Sequence, residues 1–480
     1  MPRSPTTLTD ELGIALGNLA DAATGTLTPT LRLGVTGLSR SGKTVFITAL
    51  VHNLLTGGPL PGFSALAEGR FIGARLAESP DAGVPRFAYE DHLKALTGTQ
   101  PHWPESTRRI SQLRLTLKYQ SNSWMASFLG SSTLNLDIVD YPGEWLLDLP
   151  LLTQSFAEWS GASLARARRP EAPGAEFLAA LAGVNPLEDA TDSQATLLWQ
   201  KFTGYLIASR HDSSAFSTLP PGRFLLPGDL EGSPALTFAP LEPITGPVRS
   251  QSLYAMMERR YEAYKDLVVR PFFRDHFARL DRQIVLVDTL RALNAGPAAV
   301  ADLETALAEI LACFRQGDSN PISRLVSRRI DRILFAATKA DHIHQTSHNR
   351  LESVLNRLVA SATRRARFAG AETRSLAIAA LRATREGKIE EQGEPLDVII
   401  GTPEKGEVLD GATYDGETEI ALFPGDLPEN ADSLLEVPAD LNFLRFNPPQ
   451  NLRKNAEGAW VLPHIRLDSA LEYLLGDRLR

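Results

Sequence analysis

The feature that most constrains this chain is an eight-residue run, Gly37-Leu38-Ser39-Arg40-Ser41-Gly42-Lys43-Thr44, set between two segments of different character. Residues 31–36 form a short apolar stretch, as a buried strand does, and residues 43–55 read as a helix. A turn from strand to helix leaves the helix's first N–H groups unpaired, and these add to the positive end of the helix dipole. Such a terminus attracts an anion. The run fits G-x-x-x-x-G-K-[ST] in full, in the strand-loop-helix context where that pattern holds phosphate. Gly37, Ser39, Arg40, Ser41, Gly42 and Val45 are therefore expected to shape the cradle. Lys43 is expected to reach the β- and γ-phosphates, and Thr44 to place its hydroxyl on Mg2+. The fold class this implies is α/β, with a P-loop nucleoside-triphosphatase sheet.

Further elements of that chemistry follow in order. Residues 110–119 alternate apolar and polar side chains, residues 132–139 form a second strand, and a hairpin between them is expected. The second strand ends in Asp140-Tyr141-Pro142-Gly143, of the form D-x-x-G, with Asp140 placed to hold the metal's water shell and Gly143 to sense the γ-phosphate. Many strand-to-turn exits share that form, so its place downstream of the loop gives it weight. Thr107 is the candidate for a second metal hydroxyl, with Ser106 close behind. Glu144 stands where many GTPases carry a water-orienting glutamine. After the apolar run 333–337 comes Thr338-Lys339-Ala340-Asp341, similar to [NT]-K-x-D. Asp341 would accept hydrogen bonds from guanine ring nitrogens, which adenine's edge does not match, and Lys339 would lie along the base. Ala380 and Leu381, after the last sheet strand, are expected to meet the base.

With 480 residues the chain exceeds one core, so two or three units are expected. Residues 1–29 read as a helical arm; 30–145 and 281–386 as the nucleotide domain, with a helix over 346–366; 146–280 as a mainly helical insertion, with a helical stripe over 252–280; and 387–480 as a strand-rich extension, with a short strand at 443–446. Apolar residues make up 43% and charged residues 22%, which is ordinary globular composition. The balance of 49 basic against 57 acidic residues (net −8) gives no electrostatic reason for a nucleic-acid partner. A single cysteine, Cys313, excludes an intrachain disulfide. No run approaches the ~18 apolar residues of a membrane span. A cytoplasmic protein is expected, with peripheral contact at the inner face of the membrane as the sharper alternative for the arm. Asp341, His342, His344 and His348 lack the pattern of a metal cluster; Asp341 is better used on the base, and the histidines are expected to be structural or surface residues. The arginines 364, 365 and 367 read as a solvated helix face.

The runs Gly37–Thr44, Asp140-Tyr141-Pro142-Gly143-Glu144-Trp145, Val287-Asp288 with Leu293-Asn294-Ala295-Gly296, and Pro463-His464-Ile465-Arg466-Leu467-Asp468 resemble the YcjX family of bacterial stress-associated P-loop GTPases. The resemblance implies GTP and GDP binding and a helical insertion. The form G-L-x-R-x-G-K-[ST] is also similar to the phosphate loop of guanylate-binding proteins and atlastins, which implies that Arg40 acts in cis as an arginine finger. Those relatives dimerise across the nucleotide face, so a nucleotide-dependent homodimer is an expectation by analogy. The leading reading is a Mg2+-dependent GTPase whose insertion engages a protein effector. An ATPase and a nucleotide-binding adaptor with negligible hydrolysis are the alternatives.

Overall fold

The computed structural model describes residues 28–480 except 39, 80, 106, 108, 123–129, 170–171, 212–219, 228–229, 231, 313–329, 369, 392–393, 428 and 430–440. Most of the N-terminal arm, Ser39, Ser106 and Cys313 thus lie outside the described residues. The chain divides into two compact units. One is built on a sheet and takes in residues 28–142, 280–300 and 330–480; the other is helical and takes in 143–279 and 301–312.

The sheet unit is α/β. Its seven strands are β1 (Thr30–Gly37), β2 (Phe71–Ala77), β3 (Ser111–Tyr119), β4 (Ser132–Asp140), β5 (Arg282–Val287), β6 (Arg332–Ala337) and β7 (Glu372–Ala377), in the order β2-β3-β4-β1-β5-β6-β7. Strands β4, β1, β5, β6 and β7 run parallel. The central ones are buried almost throughout, which is why they read as unbroken apolar runs. β3 pairs antiparallel with β4 and alternates, burying Leu113, Leu115 and Leu117 while Lys118 faces solvent. Helix α1 (Lys43–Thr56) buries eleven of its fourteen residues, so it is a core helix rather than a surface one. It ends at Gly57, left-handed at φ 60°, whose N–H returns to Asn53 O.

Two expectations need correction, and one strand was missed. β2 was not anticipated: Phe71-Ile72-Gly73-Ala74-Arg75-Leu76-Ala77 carries little β-branched character, and the strand exists by pairing with β3 at the sheet edge. The helix expected over 346–366 is two, His348–Leu358 and Ala360–Phe368, parted at Val359. Of the strand expected at 443–446, only a single bridge forms, between Phe446 and Pro403. The segment after β7 adds β8 (Arg385–Glu391), β9 (Glu394–Gly401), the short ribbon β10 (Val408–Leu409) with β11 (Ala412–Thr413), and β12 (Ile420–Leu422). β12-β9-β8 make a small antiparallel sheet within the sheet unit. The closing helix Leu467–Leu475 joins the main core through Leu467, Leu471, Leu474 and Leu475.

The helical unit opens with the 3-10 helix Gly143–Thr153 and contains Phe156–Ala167, Ala175–Ala182, Asp192–His211 and Leu253–Tyr264. The expected stripe over 252–280 is interrupted by a π-turn, Lys265–Val269, before Arg270–Asp275. Pro271 explains it: a proline ring clashes with the carbonyl one turn back, and a widened turn relieves the clash. The core is aromatic, with Trp159 stacked on Tyr261 (centroids 5.1 Å apart) and Phe156, Phe202 and Phe238 around them. Beside it Asp148, fully buried, accepts hydrogen bonds from Tyr264 Oη (2.6 Å) and from the amides of Gly222 (2.7 Å) and Arg223 (3.3 Å).

Two predictions follow from buried charge. Arg282, 1% exposed at the first position of β5, donates to Asp331 (3.0 Å), to Asp477 (2.5 Å) and to the Leu474 carbonyl (2.5 Å), tying the closing helix to the sheet. Replacing it with alanine strands those partners and is expected to destabilise the sheet unit by about 3 kcal/mol, read as a lower denaturant midpoint. In the helical unit, burial pushes the Asp148 carboxyl up to about 6, only partly countered by Tyr264 and the two amides. A carboxyl raised in the folded state contributes stability that is complete below pH ~4 and is lost as pH rises through ~6. The melting temperature should therefore fall between pH 4 and 7 by more in the native protein than in Asp148→Asn, an effect of up to about 3 kcal/mol. Parallel profiles would refute it.

Candidate functional site

β1 delivers the chain to the glycine loop, and β1's neighbours determine how tightly that loop can close. A Cβ on Gly37 would lie 2.3 Å from Ser41 Oγ and 2.6 Å from the Leu286 carbonyl of β5, so only glycine permits this approach. Gly42, the residue before α1, is left-handed at φ 84°, ψ 20°. Arg40 is left-handed too, at φ 63°, although it carries a side chain. Its residue is exposed. The Lys43 ammonium folds back over the loop, donating to Gly37 O (2.8 Å) and Leu38 O (3.4 Å). No side chain caps α1, and its first turn holds no acidic residue. The helix end keeps its positive character for an incoming anion. Ser41 Oγ is buried without a hydrogen-bond partner.

β4 lies beside β1 with Asp140 level with Val35, which brings a carboxylate to the loop. Asp140 is 2% exposed. Its Oδ2 accepts from the Thr107 hydroxyl at 2.7 Å, and its Oδ1 is buried with no partner. Burial raises the carboxyl to about 6, against the lowering pull of the Lys43 ammonium and the Thr107 hydroxyl. Thr107 Oγ1 stands 3.5 Å from Thr44 Oγ1. Three segments distant in sequence thus bring two hydroxyls and one carboxylate together. Oxygen donors with an unsatisfied carboxylate oxygen are what a small hard divalent cation takes, and the set fits Mg2+. Behind it Tyr141, fully buried, receives the Gln283 side-chain amide (3.3 Å), which also reaches Thr36 Oγ1 (3.1 Å).

Gly143 and Glu144 open the first element of the helical unit, where Glu144 is buried. Trp145, next in the chain, donates its indole N–H to Leu226 O (3.2 Å) and carries the Arg223 guanidinium 3.2 Å above its ring.

On the other side of β1, β6 is followed by Thr338, whose N–H donates to Val287 O (3.0 Å). Lys339 is left-handed at φ 60°, and its ammonium lies 2.6 Å from Asp288 Oδ2. Asp341 is 3% exposed, and its Oδ2 accepts the amides of Ala383 (2.7 Å) and Thr384 (3.3 Å). The Thr384 hydroxyl donates to the Asp341 carbonyl. The residues brought to Asp341 are therefore Ala383 and Thr384, a few positions beyond Ala380 and Leu381. Leu381 is buried in the main core, and Ala380 packs partly against it. The flanking Ala379 exchanges backbone hydrogen bonds with Ile465, and the Arg382 amide goes to Pro463 O. No local motif in the sequence marks Ala383 and Thr384. Asp288 as the partner of Lys339 was missed as well, because the pairing spans 51 positions.

The histidines take structural places. His342 is buried edge-on to Phe446, and burial lowers its pKa. His348 Nε2 lies 2.9 Å from Ala340 O, and His344 Nδ1 2.9 Å from Thr346 Oγ1. Among the described residues no group of three His, Cys, Asp or Glu side chains is arranged to hold a metal ion. Nor is any described helix long and apolar enough to cross a membrane.

Comparison with known proteins places these elements in a family. A family model described as "YcjX-like family, DUF463" matches residues 31–479. The chain is 40% identical over 469 residues to the "Ras-like GTPase YcjX" of Escherichia coli (strain K12), covering 94% of this chain and 96% of that one. It is 38% identical over 473 residues to the "Ras-like GTPase YcjX" of Shewanella oneidensis, covering 94% of each. With the match running from the first strand of the sheet to the last turn of the chain, this protein belongs to the YcjX-like family.

Proposed function

We propose that this chain binds GTP and hydrolyses it to GDP and phosphate in a Mg2+-dependent reaction. The observation that carries the reading is the convergence of Thr44, Thr107 and the unpartnered Asp140 Oδ1 beside Lys43 and the uncapped start of α1. Both relatives are named as Ras-like GTPases. In this reading the loop amides and Lys43 hold the β- and γ-phosphates, and Thr44, Thr107 and Asp140 hold the metal. Bound Mg2+ supplies charge neutralisation at the phosphate oxygens.

Asp341 accepts from the two ring-edge N–H donors that guanine presents and adenine does not. Its carboxylate is already oriented by two backbone amides, so little freedom is lost on binding. Asp288 orients Lys339 in the same way. Arg40 supplies positive charge as γ-phosphate charge develops, and Glu144 positions the attacking water. Because the helical unit begins at Gly143, three residues after Asp140, a shift of that glycine on γ-phosphate loss is transmitted directly into it. An effector protein reads that change, in a cytoplasmic setting connected with stress. A nucleotide-dependent homodimer fits the likeness of the loop to guanylate-binding proteins. The alternative of an adaptor with negligible hydrolysis is favoured by one residue, Glu144 in place of glutamine. Asp341 disfavours an ATPase.

Equilibrium binding with Mg2+ should show a clear preference for GTP over ATP, and Lys43→Ala should weaken GTP affinity by about 100-fold. Equal affinities for the two nucleotides, or unchanged binding in Lys43→Ala, would end the proposal. Arg40→Ala should slow single-turnover hydrolysis at saturating GTP by about 10³-fold or more while GDP affinity stays within about threefold. Undiminished turnover removes Arg40 from the chemistry.

A further inference from the structure

Beyond the phosphate loop, three segments far apart in sequence meet at Phe446. Its ring lies in a small core with Ile399, Leu422 and Leu444, against which Ala383 packs. The ring also meets His342 edge-on, with centroids 5.2 Å apart and planes at 83°. Its main-chain carbonyl accepts the indole N–H of Trp103 at 2.7 Å. The backbone around it is fixed by the Glu404 amide on Arg445 O (2.7 Å) and the Asn447 amide on Thr402 O (2.8 Å). Gly401 approaches so closely that a Cβ there would lie 2.9 Å from the Phe446 ring and 3.0 Å from Thr384 Cγ2.

These neighbours border two different parts of the candidate site. His342 follows Asp341, and Ala383 and Thr384 supply the amides that hold the Asp341 carboxylate. Trp103 stands four residues before Thr107, the hydroxyl on Asp140. Four residues span at most ~14 Å, so fixing Trp103 restricts where Thr107 can go. Pro104 stiffens that tether by locking its own φ and holding Trp103 extended.

We infer that the C-terminal segment around Phe446 is a clasp joining the base loop to the Thr107 segment, with Trp103 as a positioning residue for the Thr107 hydroxyl. The inference rests on the GTP-binding reading for its functional meaning. The clasp makes metal binding depend on a region outside the phosphate loop and couples it to occupation of the base loop. Trp103 also packs its ring against the main core, which any large apolar residue could do. The N–H donated to Phe446 O is the part that packing does not need.

Trp103→Phe in the full-length protein separates the two, because it keeps an aromatic ring and deletes the donor. In nucleotide-free protein, amide hydrogen exchange over residues 103–109 should speed up by about tenfold. The Mg2+ concentration for half-maximal GTP binding should rise about fivefold, with GDP affinity in EDTA held within about twofold. Thr107→Ala should raise the Mg2+ requirement as well, and the double variant should be no worse than Thr107→Ala alone, because Trp103 acts through Thr107. Unchanged exchange, an unchanged Mg2+ requirement or strictly additive effects would overturn the clasp. A matching loss of GDP affinity in EDTA would overturn it too, by marking general damage to the fold. If the native protein fails to bind GTP at all, the functional reading falls, and the exchange measurement still decides the clasp.

Discussion

Everything at the candidate site depends on the parallel pairing of β1 with β4 on one side and β5 on the other. The register with β4 sets Asp140 level with Val35, and the register with β5 sets Leu286 level with Gly37. A one-residue slip would turn Asp140 to the opposite face of the sheet. It would also move the Leu286 carbonyl away from Gly37, which has no Cβ to meet it. The burial of β1 and β5 on both faces prevents such a slip, so core packing here controls the placement of charge.

The same economy appears beyond β6. Lys339, left-handed, and Asp341 follow β6, and neither is left to find its own position: Asp288 holds one, and Ala383 with Thr384 holds the other. A polar group already oriented by its surroundings loses less freedom when a ligand arrives. Arg282 does the corresponding work at the opposite end of β5, where two partly exposed aspartates satisfy one deeply buried guanidinium.

What could be read from the amino acids alone follows the range of the forces involved. The phosphate loop, α1 and the apolar central strands are local patterns, and they stand where periodicity puts them. Thr107 was legible only as one of two adjacent hydroxyls, and long-range packing brings it to Asp140. Ala383, Thr384 and Asp288 carry no local signature, because their importance lies in contacts across 42 to 51 positions. β2 escaped notice since its partner, not its composition, makes it a strand. The π-turn at Lys265–Val269 has a sequence cause in Pro271, but a proline can end a helix or merely widen it, and tertiary packing decides which.

Arg40 holds a backbone conformation that glycine would adopt freely, at an expense of about 1 kcal/mol. A cradle needing only main-chain donors would gain firmness from glycine at this position. The most heat-resistant version of this loop and the version that keeps its guanidinium are therefore different molecules, and selection for thermal robustness alone would drift toward the first.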